Sequence, residues 1–412
     1  MKRRVVITGI GAITPLAIGV IDNWNKLIKG TSGVKKIGLF GVDNLKIKIG
    51  GELTLLEIPE ELKDLSPKTL DRSTIFAIIA VNEALKSADL HEKEKRDLFR
   101  IGIILGTGFG TIQAKEGNYV NILEHKKPMY PLIIPKAMDN APASEAAIYF
   151  GLKGINLSLF TACSSGTNAI GTAFRLIRDN YEDTLIAGGV DTPITYHILD
   201  AWSKLRVLSK RNDDPQRASC PFSKNRDGFV LSEGAGFMVM ESYERAQERK
   251  AMILAEIVGY GATCDALHVT APDYLEQSNA ISLAIKDAGV SINDIDYISA
   301  HGTATKLNDA TETKAIKRVF KDRSYEIPIS ALKSQIGHTI GASGAIESIF
   351  AIQMMRHNIL LPTINYTEKD EECDLNYIPN KAVDTDKIKY VLKNSFGFGG
   401  SNASIVLKNY PL

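Results

Sequence analysis

Short apolar runs alternate with longer segments whose apolar residues recur at helical spacing. VVITGIG, IGIILGTG, TLIAGGV and GFMVMES read as buried strands. Residues 73–88 (STIFAIIAVNEALKSA) and 164–178 (SSGTNAIGTAFRLIR) read as helices. The alternation predicts an α/β protein with sheets covered on both faces. The rhythm then restarts. AEIVGYGATCD repeats the strand, glycine and turn order of VVITGIGAITP, and SNAISLAIKDAGV repeats the first long helix. IDYISAHGTAT repeats IGIILGTGFG. IPISALKSQIGHT with GASGAIESIFAIQMMRH repeats INLSLFTACSS with its helix, and YVLKNSFGFGGSNASIVLK reads as a closing hairpin. An internal duplication accounts for this, with halves 1–250 and 251–412. In both halves the third strand ends in a polar motif ahead of a helix. Pseudo-symmetry then brings Cys163 and His338 to one shared floor. Pro-rich residues 128–142 (PMYPLIIPKAMDNAP) read as an irregular surface loop, either a plain connection or a cover for a pocket or dimer interface.

Composition narrows the class. The chain has 412 residues, more than one ordinary core holds. A net charge of +1 offers no global field for nucleic acid or membrane, so an acidic partner must meet a local basic patch. No segment approaches the roughly 18 apolar residues of a membrane span. The start MKRRVVITGIGAITP has a signal-like outline, but Gly9, Gly11 and Pro15 break its apolar run, so a buried first strand is expected. Cys163, Cys220, Cys264 and Cys373 are scattered without a CxxC pair. Neither a disulfide framework nor a zinc site is expected, and a reduced, cytoplasmic setting follows.

Four motifs carry candidate chemistry. In TACSSG, Cys163 sits between an apolar strand and a helix start, where the helix dipole favours thiolate and the Cys163 N–H is open to an oxyanion. The motif alone leaves a nucleophile and a small core cysteine as equal readings. HGTATKLND puts His301 at a strand end, where active sites of α/β folds form. KSQIGHT puts Lys333 and His338 in one loop. Either histidine alone reads as structural; three such loops at equivalent strand ends favour donors toward a developing negative charge. FGFGG (residues 396–400) lacks the lysine of a phosphate loop, and GTGFG at 106–110 fails the dinucleotide fingerprint, so a nicotinamide site is rejected.

TACSSG, RDGFVLSEGAG, HGTATKLND, KSQIGHTIGASGAIE and NSFGFGGSNAS occur in an order that resembles the β-ketoacyl-[acyl-carrier-protein] synthases of the elongating type II kind, over the whole chain. The resemblance implies a thiolase-like duplicated αβαβα five-layered fold and a decarboxylative Claisen condensation. Cys163 carries the acyl group, and His301 and His338 bind the malonyl thioester and its enolate. The N–H groups of Cys163 and Phe398 form the oxyanion hole, while Lys333 and Glu347 support the site. Phe398 and Phe229 gate the acyl pocket. Thr303 and Thr305 hydrogen-bond the phosphopantetheine arm, and Thr270 is a further substrate-binding candidate. No metal and no resident cofactor is implied, since acyl carrier protein delivers the substrates. Of the basic candidates Lys68, Arg72, Lys204, Arg206 and Lys210 for docking that carrier, Arg206 matches a family docking arginine. Phe109 stands where the family often has a smaller aliphatic residue, and pointing inward it would shorten the acyl pocket. Cys220, Ser232 and Lys306 also depart from the pattern. DTPIT and RNDDPQRAS resemble the ketosynthase alpha subunit of type II polyketide synthases, so fatty acid and polyketide biosynthesis both stand. The expected assembly is a homodimer, or a heterodimer with a chain-length-factor-like subunit lacking the cysteine.

Rival classes fit less well. A cysteine hydrolase needs one Cys–His pair with an orienting Asn or Asp. A degradative thiolase needs a second cysteine where FGFGG stands. The initiating synthases pair His with Asn, against KSQIGHT. A scaffold subunit predicts loss of Cys163, which is present.

Overall fold

The first half's apolar runs form strands β1 Val5–Ile13, β2 Ile101–Gly106, β3 Asn156–Leu159, β4 Thr184–Asp191 and β5 Gly234–Ser242. The second half supplies β6 Ala255–Cys264, β7 Tyr297–Ser299, β8 Ile329–Ser330, β9 Tyr390–Gly397 and β10 Ser401–Asn409. This computed structural model describes residues 2–54, 56–97, 100–126 and 128–410. The first half lays its strands in the order β3-β2-β4-β5-β1, the second in the order β8-β7-β9-β10-β6. These are one topology used twice. The sense of pairing repeats as well. β3–β2, β2–β4, β8–β7 and β7–β9 are parallel, whereas β4–β5, β5–β1, β9–β10 and β10–β6 are antiparallel. The two sets meet where Val5–Ile7 of β1 pairs with Ala255–Ile257 of β6.

Helices complete the layers. These are α1 Arg72–Ser87, α2 Ile112–Leu123, α3 Ala141–Phe150, α4 Ser165–Arg178, α5 Tyr196–Lys204, α6 Tyr274–Ala288, α7 Lys306–Phe320 and α8 Ser343–His357. α1 and α3 cover the outer face of the first half's strands, and α6 with α7 cover the outer face of the second's. α4 and α8 lie between, touching strands of both halves. The expected five-layer arrangement is present. α8 is buried on every side over Ser343–Ile352, with Ile346, Ile349, Phe350 and Ile352 fully buried and Glu347 as its buried charge.

The central helices start close together because small residues permit it. A Cβ on Gly344 would meet Thr167 Oγ1 at 2.0 Å, and one on Gly166 would meet the Gly341 carbonyl oxygen at 2.7 Å. Both helix starts therefore converge on the same point, each just after a chemical motif.

One expectation is corrected. Residues 128–142 are not irregular throughout: Ile133–Ala137 forms a helical turn, and α3 begins at Ala141. Pro142 suits that first turn, since its missing N–H has no helical partner to lose. Met129, Leu132, Ile134 and Met138 stay exposed, which keeps the segment's apolar surface.

Candidate active site

Between β3 and α4 the chain turns sharply. Ala162 takes φ 50°, a left-handed conformation that a residue with a Cβ keeps only when its surroundings enforce it. The enforcement is local. Ser165 Oγ donates to the Ala162 carbonyl at 2.7 Å and accepts the Thr161 N–H at 2.9 Å, while Ser164 Oγ donates to the Thr161 carbonyl at 2.8 Å. The small residues of TACSSG are thus the hardware of the turn. It leaves Cys163 almost buried, at 7% exposure. The backbone N–H groups of Cys163 and Phe398 reach its sulfur. Burial nevertheless outweighs these donors and the nearby Lys333 charge, and pushes the thiol up to about 12. The helix start does not yield a resting thiolate, because desolvating the charge costs more than the donors return.

His338 Nε2 lies 3.1 Å from Cys163 Sγ. Its Nδ1 accepts the Ile340 N–H at 3.1 Å and faces Ser343 Oγ at 3.0 Å. A backbone N–H can only donate, so the ring proton sits on Nε2, toward the sulfur. His301 Nδ1 faces Lys333 Nζ at 3.4 Å, which assigns the same tautomer. Glu312 fixes the His301 loop by accepting the His301 and Gly302 N–H groups, each at 2.8 Å. Burial, reinforced by the Lys333 charge, holds both imidazoles well below the usual histidine range. They are neutral donors, and one atom from each of Cys163, His301 and His338 falls within 4.8 Å of the others.

Behind His301, Lys333 Nζ donates to the His301 carbonyl at 2.7 Å and to Glu347 Oε1 at 2.6 Å. Sequence reasoning found that pair but missed Lys393, whose Nζ stands 2.8 Å from Glu347 Oε2 with no exposure. The signal was available. A lysine in a strand covered on both faces must have a buried partner.

A cavity of about 170 Å³ opens onto this group, lined by Cys163, His301, His338, Phe229, Phe398, Thr303, Thr305 and Thr270. Thr303 Oγ1 and Thr305 Oγ1 are 2.9 Å apart. Trp202, which carried no motif, stands at the centre of an aromatic box, its ring 5.3 Å from Phe229, 5.8 Å from Phe398 and 6.3 Å from Phe109. Phe109 packs inward on the cluster that includes Cys163, behind Trp202 rather than on the cavity wall. Asp191 fixes the Phe109 loop and joins it to the histidine loop. It accepts the N–H groups of Gly108 at 2.8 Å, Phe109 at 2.9 Å and Gly341 at 2.6 Å.

The docking candidates divide. Arg206, Lys68, Lys204 and Lys210 are exposed, and Arg206 follows α5 with φ 57°. Arg72 is corrected: it makes two hydrogen bonds to Glu233, at 2.8 and 2.6 Å, and donates to the Leu53 carbonyl. Its charge is spent inside the protein.

Comparison with known proteins agrees with this geometry. Residues 2–246 match the family described as Beta-ketoacyl synthase, N-terminal domain, and residues 254–367 match Beta-ketoacyl synthase, C-terminal domain. The chain is 39% identical over 412 residues to "3-oxoacyl-[acyl-carrier-protein] synthase 2" of Staphylococcus aureus (strain COL), covering 99% of each. It is 40% identical over 415 residues to the protein of the same description from Synechocystis, covering 99% of each. A beta-ketoacyl synthase from Burkholderia phymatum superposes with a TM-score of 0.92 at 33% identity, covering 100% of both chains. A ketosynthase in complex with its type II polyketide acyl-carrier protein and bound to a hexaketide gives 0.90 at 33% identity, again covering 100% of both. This chain belongs to the beta-ketoacyl synthase family.

Proposed function

We infer that the protein is a 3-oxoacyl-[acyl-carrier-protein] synthase that joins an acyl group on Cys163 to a malonyl thioester. The observation that carries this is the Nε2–H of His338 at 3.1 Å from the Cys163 sulfur, with His301 beside it. In the first step the Cys163 sulfur attacks the acyl thioester, its proton leaves with the carrier's thiol, and the acyl group stays on Cys163. The donors around the sulfur stabilise the charge that burial suppresses at rest. The malonyl thioester then binds with its carbonyl oxygen between the two Nε2–H groups. Its carboxylate departs as carbon dioxide and leaves the electron pair as an enolate, which the two donors hold. The enolate carbon attacks the acyl carbonyl, and the new oxyanion falls to the N–H groups of Cys163 and Phe398. Collapse releases the 3-oxoacyl thioester and the Cys163 sulfur, which takes a proton. A preorganised donor in such a site is worth about 3–4 kcal/mol. The thioester carbonyl is itself the electron sink, so the scheme uses no resident metal or cofactor.

Acyl carrier protein is the proposed partner, with Arg206 and its exposed basic neighbours facing its acidic surface. The edge strand β3 carries exposed Leu157, followed by exposed Phe160, and α3, which packs on it, carries exposed Ile148. That unpaired apolar edge fits a second subunit. Among the described residues no helix is long and apolar enough to cross a membrane, and the four cysteines are free. These features fit a reduced, cytoplasmic setting. Fatty acid elongation is favoured by the 3-oxoacyl synthases that match at 39–40% identity. A second reading, a ketosynthase alpha subunit working with a cysteine-less partner, draws on the polyketide ketosynthases of the same shape. Intact-mass analysis after incubation with acyl carrier proteins of graded chain length tests the assignment. Acylation confined to Cys163 supports it, and acylation that persists in Cys163→Ala overturns it. Sedimentation of the chain alone distinguishes a homodimer from a subunit that needs a different partner.

A further inference from the structure

We propose that Lys393 is a positioning residue of the condensation: it grips the second oxygen of Glu347 and balances the two buried carboxylates beneath the histidine pair. This rests on the reading of the site as a condensing centre. Two carboxylates are built into the ground under His301. Glu312 on α7 holds the His301 and Gly302 N–H groups, and Glu347 on α8 holds Lys333. Both are fully buried. With Lys333 as the sole cation and both carboxylates ionised, that ground would carry a net negative charge, a state burial of Glu312 already opposes. A net negative charge there raises the cost of creating an enolate and an oxyanion, because like charges in a dry interior repel.

Lys393 supplies the missing cation. It lies on β9, three residues before Phe396, and is fully buried. Its Nζ faces Glu347 Oε2 at 2.8 Å as an ion pair, Ser395 Oγ at 3.2 Å, and the Asn394 carbonyl. Burial pulls its proton affinity down and the Glu347 charge pushes it back up, and three oxygens around Nζ favour the charged form. Ser395 Oγ is in turn 2.8 Å from Thr167 Oγ1 on α4, so the same contact ties β9 to the helix that follows Cys163. Buried lysines are costly unless paired, and this one is paired with a group that already had a partner. The charged or titratable groups around the pair are Lys333, Glu347, Glu312, Lys393 and, on the Cys163 side, Asp191. Lys393 lowers the proton affinity of both histidines through space, which helps keep them neutral.

The test compares the parent enzyme with Lys393→Met in decarboxylation of malonyl-acyl carrier protein across pH 5–9. The expected result is a drop in kcat of about tenfold with KM little changed, and an acid limb displaced upward by on the order of one unit. Alkylation of Cys163 by iodoacetamide should need a higher pH. A folded Lys393→Met variant with the parent's kcat and acid limb overturns the proposal. Should that variant unfold, Lys393→Gln is read in the same way. The double variant Lys393→Met/Glu347→Gln decides independently. It restores equal charges and should return the acid limb toward the parent's position, whereas a limb still displaced overturns the charge-balance argument. A parent enzyme that never decarboxylates malonyl-acyl carrier protein overturns the condensation reading itself, an outcome distinct from failure of the variants.

Discussion

The two halves of this protein share one topology and deliver opposite chemistry. In the first half, residues 160–164 join β3 to α4, and that short turn presents one thiol, the proposed nucleophile Cys163. In the second, residues 331–342 join β8 to α8, and the longer link carries both Lys333 and His338. The added length lets the second half place a donor over the sulfur and a cation behind the neighbouring histidine, where the first half places a single thiol. Burial treats the two alike. It favours the uncharged form of each, raising the thiol and lowering the imidazoles. At rest the thiol and both imidazoles are therefore uncharged, with the buried Lys333–Glu347 pair behind them.

The largest expected break of this comparison is in the first half. Cys163→Ala should cut condensation by on the order of 10⁴-fold or more, measured as 3-oxoacyl product. Cys163→Gln should keep or raise malonyl decarboxylation, since the amide imitates an acylated sulfur. In the second half, His338→Ala should lower decarboxylation by about 10²–10³-fold while intact mass still shows acylated Cys163. Loss of acylation in that variant would show that the halves do not divide their labour as described.

The pH dependence sharpens the contrast. With the thiol at about 12, alkylation of Cys163 should rise about tenfold per unit up to pH 10 without a plateau. Decarboxylation should hold its plateau down through pH 6.5, the midpoint of an ordinary histidine. Protonation would put an N–H on Nδ1 of His338 against the Ile340 N–H, so activity is lost only once the pH falls below that depressed midpoint. A midpoint near 6.5 would contradict the neutral pair. The convergence of the helix starts is tested by Gly344→Val, expected to cost about 1–3 kcal/mol or to prevent folding, read as a lower Tm. The smallest effect is expected at the rim. Arg206→Glu should raise KM for the carrier protein about threefold with kcat unchanged, more strongly at low salt.

Much of this was legible in the chain. Apolar runs and helical spacing gave nine-residue β1, the helices after both motifs and the closing hairpin of β9 and β10. Repetition of those elements gave the duplication, and the ordered motifs gave Cys163, His301, His338, Lys333 and Glu347. These are local signals, carried by turn chemistry and periodicity. Trp202, Asp191 and Glu312 carried none, and Lys393 only its place in a strand covered on both faces. Each sits in an ordinary helix or strand and gains its meaning from partners outside its own element. Arg72 erred in the opposite direction: a lone arginine reads as exposed until Glu233 is seen to meet it.

The sequence by itself determined which residues could react, because a sharp strand-to-helix turn, a helix start and a glycine-rich loop are written in neighbouring residues. Only the tertiary structure decided their state. Whether Cys163 rests as a thiol, which nitrogen of His338 bears the proton, and which cation balances Glu347 all depend on burial and on through-space neighbours. Those are properties of packed surroundings, and no local stretch of chain contains them.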